Sequence, residues 1–342
     1  MLGQARLGVD DRLLDGLVQL AEARGWPGHV ATARVNLAYL CHHLGAPDEA
    51  LRHVALGRAV TERARLDDMA PYLARERAWA EVERGQLAAA ADDFAEAGWA
   101  LSAIDAERTA LETTLDAAAL ALERGQLARA QAALDGVVAK LETTFEQRYH
   151  GALAAALAAL SGRGAPPAEA DARATGTVED HAFSAWHAIG SDRAQGALAA
   201  AEAVRGHSSR VRQALRLLAA TSGLAPPGRA VLVSLDDLAF RVDGGPWVSL
   251  QAKPALRTVW RALVEARLDA AGKVVDKAAL AALLWPGQRL RSELRDNRLH
   301  VNLNGLRKIG LADVVEARDG GYRIAPACVV VRVAPAAFPA PA

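Results

Sequence analysis

The feature that most constrains this chain is a glycine that returns every 40 residues. Leu44-Gly-Ala-Pro-Asp-Glu-Ala-Leu51, Arg84-Gly-Gln-Leu-Ala-Ala-Ala-Ala91 and Arg124-Gly-Gln-Leu-Ala-Arg-Ala-Gln131 align without gaps. Gly45, Gly85 and Gly125 share one phase, and Ala50, Ala90 and Ala130 share another. A looser copy runs through Gly164 and Ala170. Glycine just past an apolar-periodic stretch suits a helix C-terminus, because it enters the left-handed conformation cheaply. The small alanine five residues on lets two helices approach closely. Each unit reads as helix, tight turn, helix, and units of this size stack into solenoids with a continuous core.

The helices expected from the apolar periodicity run over 10–24, then in pairs at 28–43 and 47–65, 70–84 and 87–103, 107–124 and 127–143, and 146–161 and 166–174. Further helices are expected at 178–189, 192–205 and 208–221. Half the residues are apolar but aromatics make up only 5%, so alanine carries much of the core; that balance favours close-packed helices over sheets. The string Leu-Gly-x-x-x-Glu-Ala-Leu-x-x-x-x-x-Gly, from Leu44 to Gly57, resembles the turn and second-helix signature of tetratricopeptide repeats, in a long-period form. The resemblance covers residues 28–175 and implies a protein or peptide ligand on the concave face, which the first helix of each pair lines. Arg34, Asn36, Tyr39, Arg75, Trp79 and Glu83 lie on such helices.

After a linker by composition at 224–229, rich in Pro and Gly, the periodicity changes. Short strands are expected at 231–235, 239–242 and 247–250. A helix follows over 254–270, with Pro254 in its first turn and an apolar stripe of Leu256, Val259, Trp260, Leu263, Val264 and Leu268. Asp276 stands at the N-cap position of a helix over 277–284, which Trp285-Pro-Gly287 ends. A third helix runs from 292 to 309, and a hairpin pairs 314–317 with 322–325 across Arg318-Asp-Gly-Gly321.

The third helix contains Asp296-Asn-Arg-Leu-His-Val-Asn-Leu-Asn-Gly-Leu-Arg-Lys308. Leu299, Leu303 and Leu306 share its apolar face. Asn297, Val301, Asn304, Gly305 and Lys308 fall opposite, flanked by Arg298, His300 and Arg307. Asparagine can bond an adenine edge, a valine methyl can touch thymine, and the cations can neutralise phosphates. Arg318 at the hairpin tip is placed to enter a minor groove or grip a phosphate. The register of Asp296, Leu299, Val301, Leu303, Leu306, Arg307 and Lys308, with Gly272-Lys-Val-Val275, Leu280 through Trp285-Pro-Gly287 and Gly320-Gly-Tyr-Arg323, resembles the winged helix-turn-helix effector domain of OmpR/PhoB-type regulators, a form shared with SARP activators. That resemblance spans 229–327 and implies duplex DNA as a partner. It departs from the family at Gly305, where a base-reading arginine is common, and at Asn297.

Charge agrees in sign. The chain is formally neutral, yet 229–333 holds 17 Lys/Arg against 11 Asp/Glu, leaving the remainder net acidic. A basic excess in one unit is what a nucleic-acid partner wants. No uncharged run of membrane-spanning length occurs, and the N-terminal residues lack a signal-peptide core, so no membrane association is expected. Cys41 and Cys328 are the only cysteines, so no disulfide framework exists and a cytoplasmic setting is expected.

Cys41-His42-His43 holds metal-ligand types. Adjacent histidines on a helix project about 100° apart, however, so they are not expected to converge. Gly206-His-Ser-Ser-Arg210 begins like a nucleophile elbow without its closing glycine and reads as a turn and helix cap. Without a phosphate loop, a Gly-x-Ser-x-Gly or a His-Glu-x-x-His, neither enzyme activity nor a cofactor or metal is expected.

The expectation is therefore a mostly α protein: a TPR-like α-solenoid of antiparallel helix pairs over 1–223, a linker at 224–229, an α+β winged helix-turn-helix over 230–333 and a disordered tail at 334–342. Its function is expected to be DNA-binding transcriptional regulation, with repeats that bind a protein or peptide partner or mediate assembly, homo-oligomers included. The alternative is an interaction scaffold in which the C-terminal unit docks protein or dimerises.

Overall fold

The computed structural model describes residues 11–163, 177–223, 229–288, 291–318 and 320–335. The fourth repeat copy through Gly164 and Ala170, the helix expected over 166–174, most of the linker, Asp319 and the tail after 335 lie outside the described residues. Within them the chain is mostly helical, with fourteen α-helices and a small amount of sheet near the C-terminus. Among the described residues no helix is long and apolar enough to cross a membrane.

The first helices are α1 (Asp11–Ala23), α2 (Pro27–His43), α3 (Pro47–Ala64), α4 (Ala70–Glu83), α5 (Leu87–Ala103), α6 (Glu107–Glu123) and α7 (Leu127–Val137). Each packs on the next. The glycine period resolves into a finer one, because a residue with positive φ falls at 25, 45, 65, 85, 105 and 125. Glycine fills four of these places, and Arg65 and Asp105 fill the other two. At each place one backbone bond reaches back five residues: Ala46 N to Cys41 O at 2.9 Å, Gln86 N to Glu81 O at 2.8 Å and Gln126 N to Ala121 O at 2.8 Å. This is the Schellman closure, which satisfies carbonyls the helix end would leave bare. Proline at the start of α2 and α3 lacks a donor where the helix needs none.

Then follow α8 (Thr144–Leu160), α9 (Val178–Ala188), α10 (Ala194–Glu202) and α11 (Ser209–Ser222). Thr143 caps α8 through a reciprocal box with Glu146, and the Ser208 hydroxyl accepts from Val211 N at 3.4 Å, so the Gly206–Arg210 stretch is a turn and cap. Helix α7 stops at Val137 and continues as a short tight turn, six residues before the expected end.

The C-terminal elements are β1 (Ala230–Ser234), β2 (Ala239–Val242), β3 (Val248–Ser249), α12 (Pro254–Asp269), β4 (Val275–Asp276), α13 (Lys277–Leu284), α14 (Ser292–Leu306), β5 (Val315–Arg318), β6 (Gly321–Ile324) and β7 (Val329–Val333). One sheet has the order β3-β2-β1-β7, and the other β4-β6-β5. Strand β7 was not expected. It runs parallel to β1, with Ala230 opposite Val329 and Ser234 opposite Val333.

Alternation along β1 and β7 gives the first sheet two buried faces. Val231, Val233, Val330 and Phe240 join the core with Val259, Trp260 and Leu263 of α12 and with Leu299, Leu303 and Leu306 of α14. Ala230, Leu232, Val331 and Val333 join the helical core with Leu217, Leu218 and Leu215 of α11. The helices and the sheet are thus fused through one shared layer rather than hung on a linker.

The turn glycines mark the seam. A Cβ built on Gly85 would lie 2.7 Å from the Ala271 Cβ, one on Gly125 2.6 Å from the Arg332 Cβ, and one on Gly162 3.0 Å from the Ala334 Cβ. Across it, Ala334 N donates to Leu160 O at 2.8 Å, so the expected disordered tail does not begin at 334, and Arg124 Nη2 donates to Asp269 Oδ1 at 3.1 Å.

Candidate functional site

Helix α14 is two-faced. Leu299, Leu303 and Leu306 are fully buried against α12, while Asn297, Arg298, His300 and Val301 are exposed, as is Lys308 in the π-helical turn Arg307–Leu311 that follows the helix. Val301 is 70% exposed, an unusual setting for a valine in the middle of a helix. Asn304 and Arg307 are half-buried. The Arg307 guanidinium donates from Nε and Nη2 to Val315 O, both at 3.3 Å, which holds the helix end to the hairpin. Its first task is structural, in contrast to the neighbouring Lys308. Arg318 is exposed on the hairpin, with Nη2 3.1 Å from Glu316 Oε2.

Two glycines of this region have steric reasons. Gly305 does not belong to the exposed face: a Cβ there would lie 3.1 Å from Leu256 Cδ2 of α12. Gly305 therefore sits where two helices press together. Gly321 faces the Val275 carbonyl across the β4–β6 pair, and any Cβ would collide with it. Asp276 does precede α13, but its side chain makes no capping bond; it ends β4 instead, and Lys277 N donates to Gly320 O at 3.0 Å.

The expected partner residues on the repeats separate into two groups. Arg34, Asn36 and Tyr39 are half-buried or exposed on α2. Arg75 and Trp79 point into the chain's own interior, where α11 occupies the space expected for a ligand. Asp116 of α6, fully buried, is the centre there. It accepts from Arg210 Nε at 2.9 Å and Nη2 at 3.1 Å, from Arg75 Nη2 at 3.0 Å, from Trp79 Nε1 at 3.2 Å and from the Tyr149 hydroxyl at 3.3 Å. Burial works against the charge on Asp116, but Arg210 and Arg75 outweigh it and hold the carboxyl below its ordinary range. Further along α11, Arg212 Nε donates to Glu83 Oε2 at 2.7 Å and Arg216 Nε to Glu123 Oε1 at 2.8 Å. Glu83 is thus used within the chain as well.

His42 and His43 do converge, against the helical-projection argument. Their rings meet edge to face with centroids 4.6 Å apart, and the two Nδ1 atoms are 3.2 Å apart. Both turn toward Ser209, the first residue of α11: His42 Nδ1 is 2.7 Å from Ser209 Oγ, and His42 Nε2 is 2.7 Å from Glu76 Oε2. Side-chain rotation overrides backbone projection because two buried rings need partners. Burial, aided by Arg75, keeps His42 well below its ordinary pKa; burial, aided by His42, does the same to His43. Burial also pushes Glu76 up to about 7, although Arg75 opposes it.

Serine, histidine and glutamate in hydrogen-bonded order resemble a hydrolytic triad in connectivity. Ser209, His42 and Glu76 are all buried, however, and Arg212 also bonds the Ser209 hydroxyl at 3.2 Å. A carbonyl group could reach Ser209 only if α11 lifted away. Among the described residues no group of three or more His, Cys, Asp or Glu is arranged to hold a metal.

Sequence reasoning missed Asp116, and it read Ser209 and Arg210 only as part of a turn and cap, without their buried partners. The available signal was a helix start with arginines at 210, 212 and 216, whose acidic partners lie about 90 to 130 residues earlier. No protein-family model matches the chain, and no curated protein matches it.

Proposed function

We propose that the chain is a DNA-binding transcriptional regulator, in which the C-terminal elements form a winged helix-turn-helix of the OmpR/PhoB type. In this reading α14 enters the major groove and the β5–β6 hairpin is the wing. The helical repeats, TPR-like in period, carry the reading unit and hold a protein or peptide ligand; the setting is cytoplasmic. The observation that carries the proposal is the division of α14. Its leucines are spent on α12, while Asn297, Arg298, His300, Val301 and Lys308 face outward as one strip of donors, acceptors, cations and a methyl surface. The location of Gly305 on the packed flank supports it too, since the exposed strip then lacks no side chain.

The test is selection of duplex DNA by the full chain, followed by binding of the selected duplex at several salt concentrations. A defined motif and an affinity that falls steeply with salt are expected. Equal retention of the parent and an Arg298→Ala/Lys308→Ala double variant on that duplex would refute the proposal.

A second reading, a protein-docking module, has its own observation. Leu283, Leu294 and Val301 are 55%, 46% and 70% exposed on α13 and α14. Exposed apolar side chains on two adjacent helices suit a protein face. A partner recovered by the full chain and lost with Leu294→Ser, alongside failure of the DNA selection, would favour it.

A further inference from the structure

Helix α1 is apolar on two sides. Leu14, Val18 and Ala21 turn inward and pack with Val30, Ala33 and Leu37 of α2. Leu13, Leu17 and Leu20 form a second stripe that no described residue covers; they are 63%, 47% and 49% exposed. The charged and polar side chains Asp15, Gln19 and Glu22 are kept to the remaining side. The end of a stack of helices ordinarily turns a polar face outward, so a segregated leucine stripe there marks a contact surface.

Beside the stripe lies an open cleft of about 550 Å³. Leu17, Leu20 and Trp26 wall one side of it, and Leu66 and Met69, in the short turn between α3 and α4, wall the other. Such a cleft takes an amphipathic helix with apolar anchors at i, i+3 or i+4, and i+7. Helix α1 has that spacing in Leu13, Leu17 and Leu20, and its own fold leaves them unused. Gly16 completes with them the four-residue hole that receives a side chain from a facing helix, and a Cβ built there meets nothing within 4 Å. Ridge, hole and cleft therefore lie on one face of one chain, the self-complementary arrangement that a two-fold axis requires.

Charge sets the direction. Asp68 lines the cleft beside Trp26, where α1 has ended, and it is exposed with no ion-pair partner among the described residues. A second α1 running antiparallel to the first brings its N-terminal turn, the positive end of the helix dipole, to this carboxylate; a parallel one brings the negative end. Two helices about 20 Å long and about 10 Å wide, each seated in the other's cleft, cover on the order of 1,200 Å² in total, the lower end for specific interfaces. A reversible, concentration-dependent association is the consequence.

We propose that α1 and the cleft beside it form a homodimer interface, in which the exposed leucine stripe of each α1 lies antiparallel in the cleft of a second copy.

Sedimentation velocity of the full chain, over a concentration series from low micromolar upward, tests this. The average mass should rise toward twice that of the chain. Leu17→Arg should weaken the dimer at least tenfold, and Asp68→Lys by about fivefold. Trp99→Arg, which changes an exposed tryptophan on α5 away from this face, should leave it unaltered. Melting curves at a dilution where the parent is monomeric should place all three variants with the parent. A parent that stays monomeric throughout overturns the proposal: a lowered melting temperature in Leu17→Arg would then mean that the chain covers its own stripe, and an unchanged one that the face serves a different partner. A dimer that persists in folded Leu17→Arg, or that is lost in Trp99→Arg instead, overturns it as well.

Discussion

Ala271, just beyond α12, donates its backbone N–H to the Gly85 carbonyl at 2.8 Å, and its methyl lies where a Gly85 side chain would have to be. The turn glycine is thus required twice, by its φ of +72° and by the neighbour that covers it. Gly25 meets only the first requirement, having a φ of +64° and nothing within 4 Å of a built Cβ. Gly25→Ala should cost about 1 kcal/mol from the left-handed conformation alone. Gly85→Ala should cost about 2 to 4 kcal/mol, because the seam must also open or shift. Urea unfolding of the two variants side by side measures the difference, and equal losses would contradict the seam contact.

Asp116 offers the sharpest test of the buried polar centre. Asp116→Ala leaves Arg210 and Arg75 as facing buried cations and should cost about 3 to 5 kcal/mol, as removal of one partner from a buried pair does. Replacing Arg210 as well, with methionine, should recover part of that loss, since an uncompensated charge is then gone. Thermal unfolding of both variants and of the parent checks the ordering.

Glu76 gives a pH prediction with a defined sign. Its folded pKa of about 7 lies above its ordinary value, so its contribution to stability is present at low pH and is lost as pH rises toward 7. His42 and His43, held neutral by burial, act the other way: they destabilise the fold as pH falls through the ordinary histidine range. In the parent the two tendencies oppose each other between pH 5 and 7. Glu76→Gln removes one of them, so its melting temperature should climb more steeply over that interval than the parent's. A shallower climb would mean that Glu76 is ionised throughout.

On the proposed DNA-binding role, residues on α14 and on the turn that follows it should divide by whether their side chains are already committed. Lys308→Ala and Arg298→Ala should weaken duplex binding and each lower the salt slope by about one unit, with little change in melting temperature. Arg307→Ala should lower the melting temperature, because its guanidinium holds the Val315 carbonyl. A salt titration of binding paired with a melting curve for each variant distinguishes the two behaviours.

Local patterns in the sequence carried the helices well. From α2 to α6, expected and observed ends agree within about two residues, because caps, turn glycines and apolar periodicity are all short-range signals. What escaped was set by distant parts of the chain. Strand β7 reads as a bare valine run, and its partner β1 lies about a hundred residues earlier with no hairpin turn to announce the pairing. The helical wheel put Gly305 with the outward residues because it considers one packed face, whereas α12 also presses on the flank through Leu256. Arg75 and Trp79 looked like groove residues because nothing local reveals that α11 returns to bond Asp116.

The shared sheet layer has a consequence for how such a protein could be rearranged by recombination. By composition, a cut in the linker at 224–229 is a natural place to exchange one C-terminal unit for another. An incoming unit would still need a residue as small as Ala271 over Gly85, a side chain shaped like Arg332 over Gly125, and a strand whose inner face fits Leu217 and Leu218. The repeats and the unit they carry are therefore inheritable only as a matched pair, and the glycine phase records which pair it is.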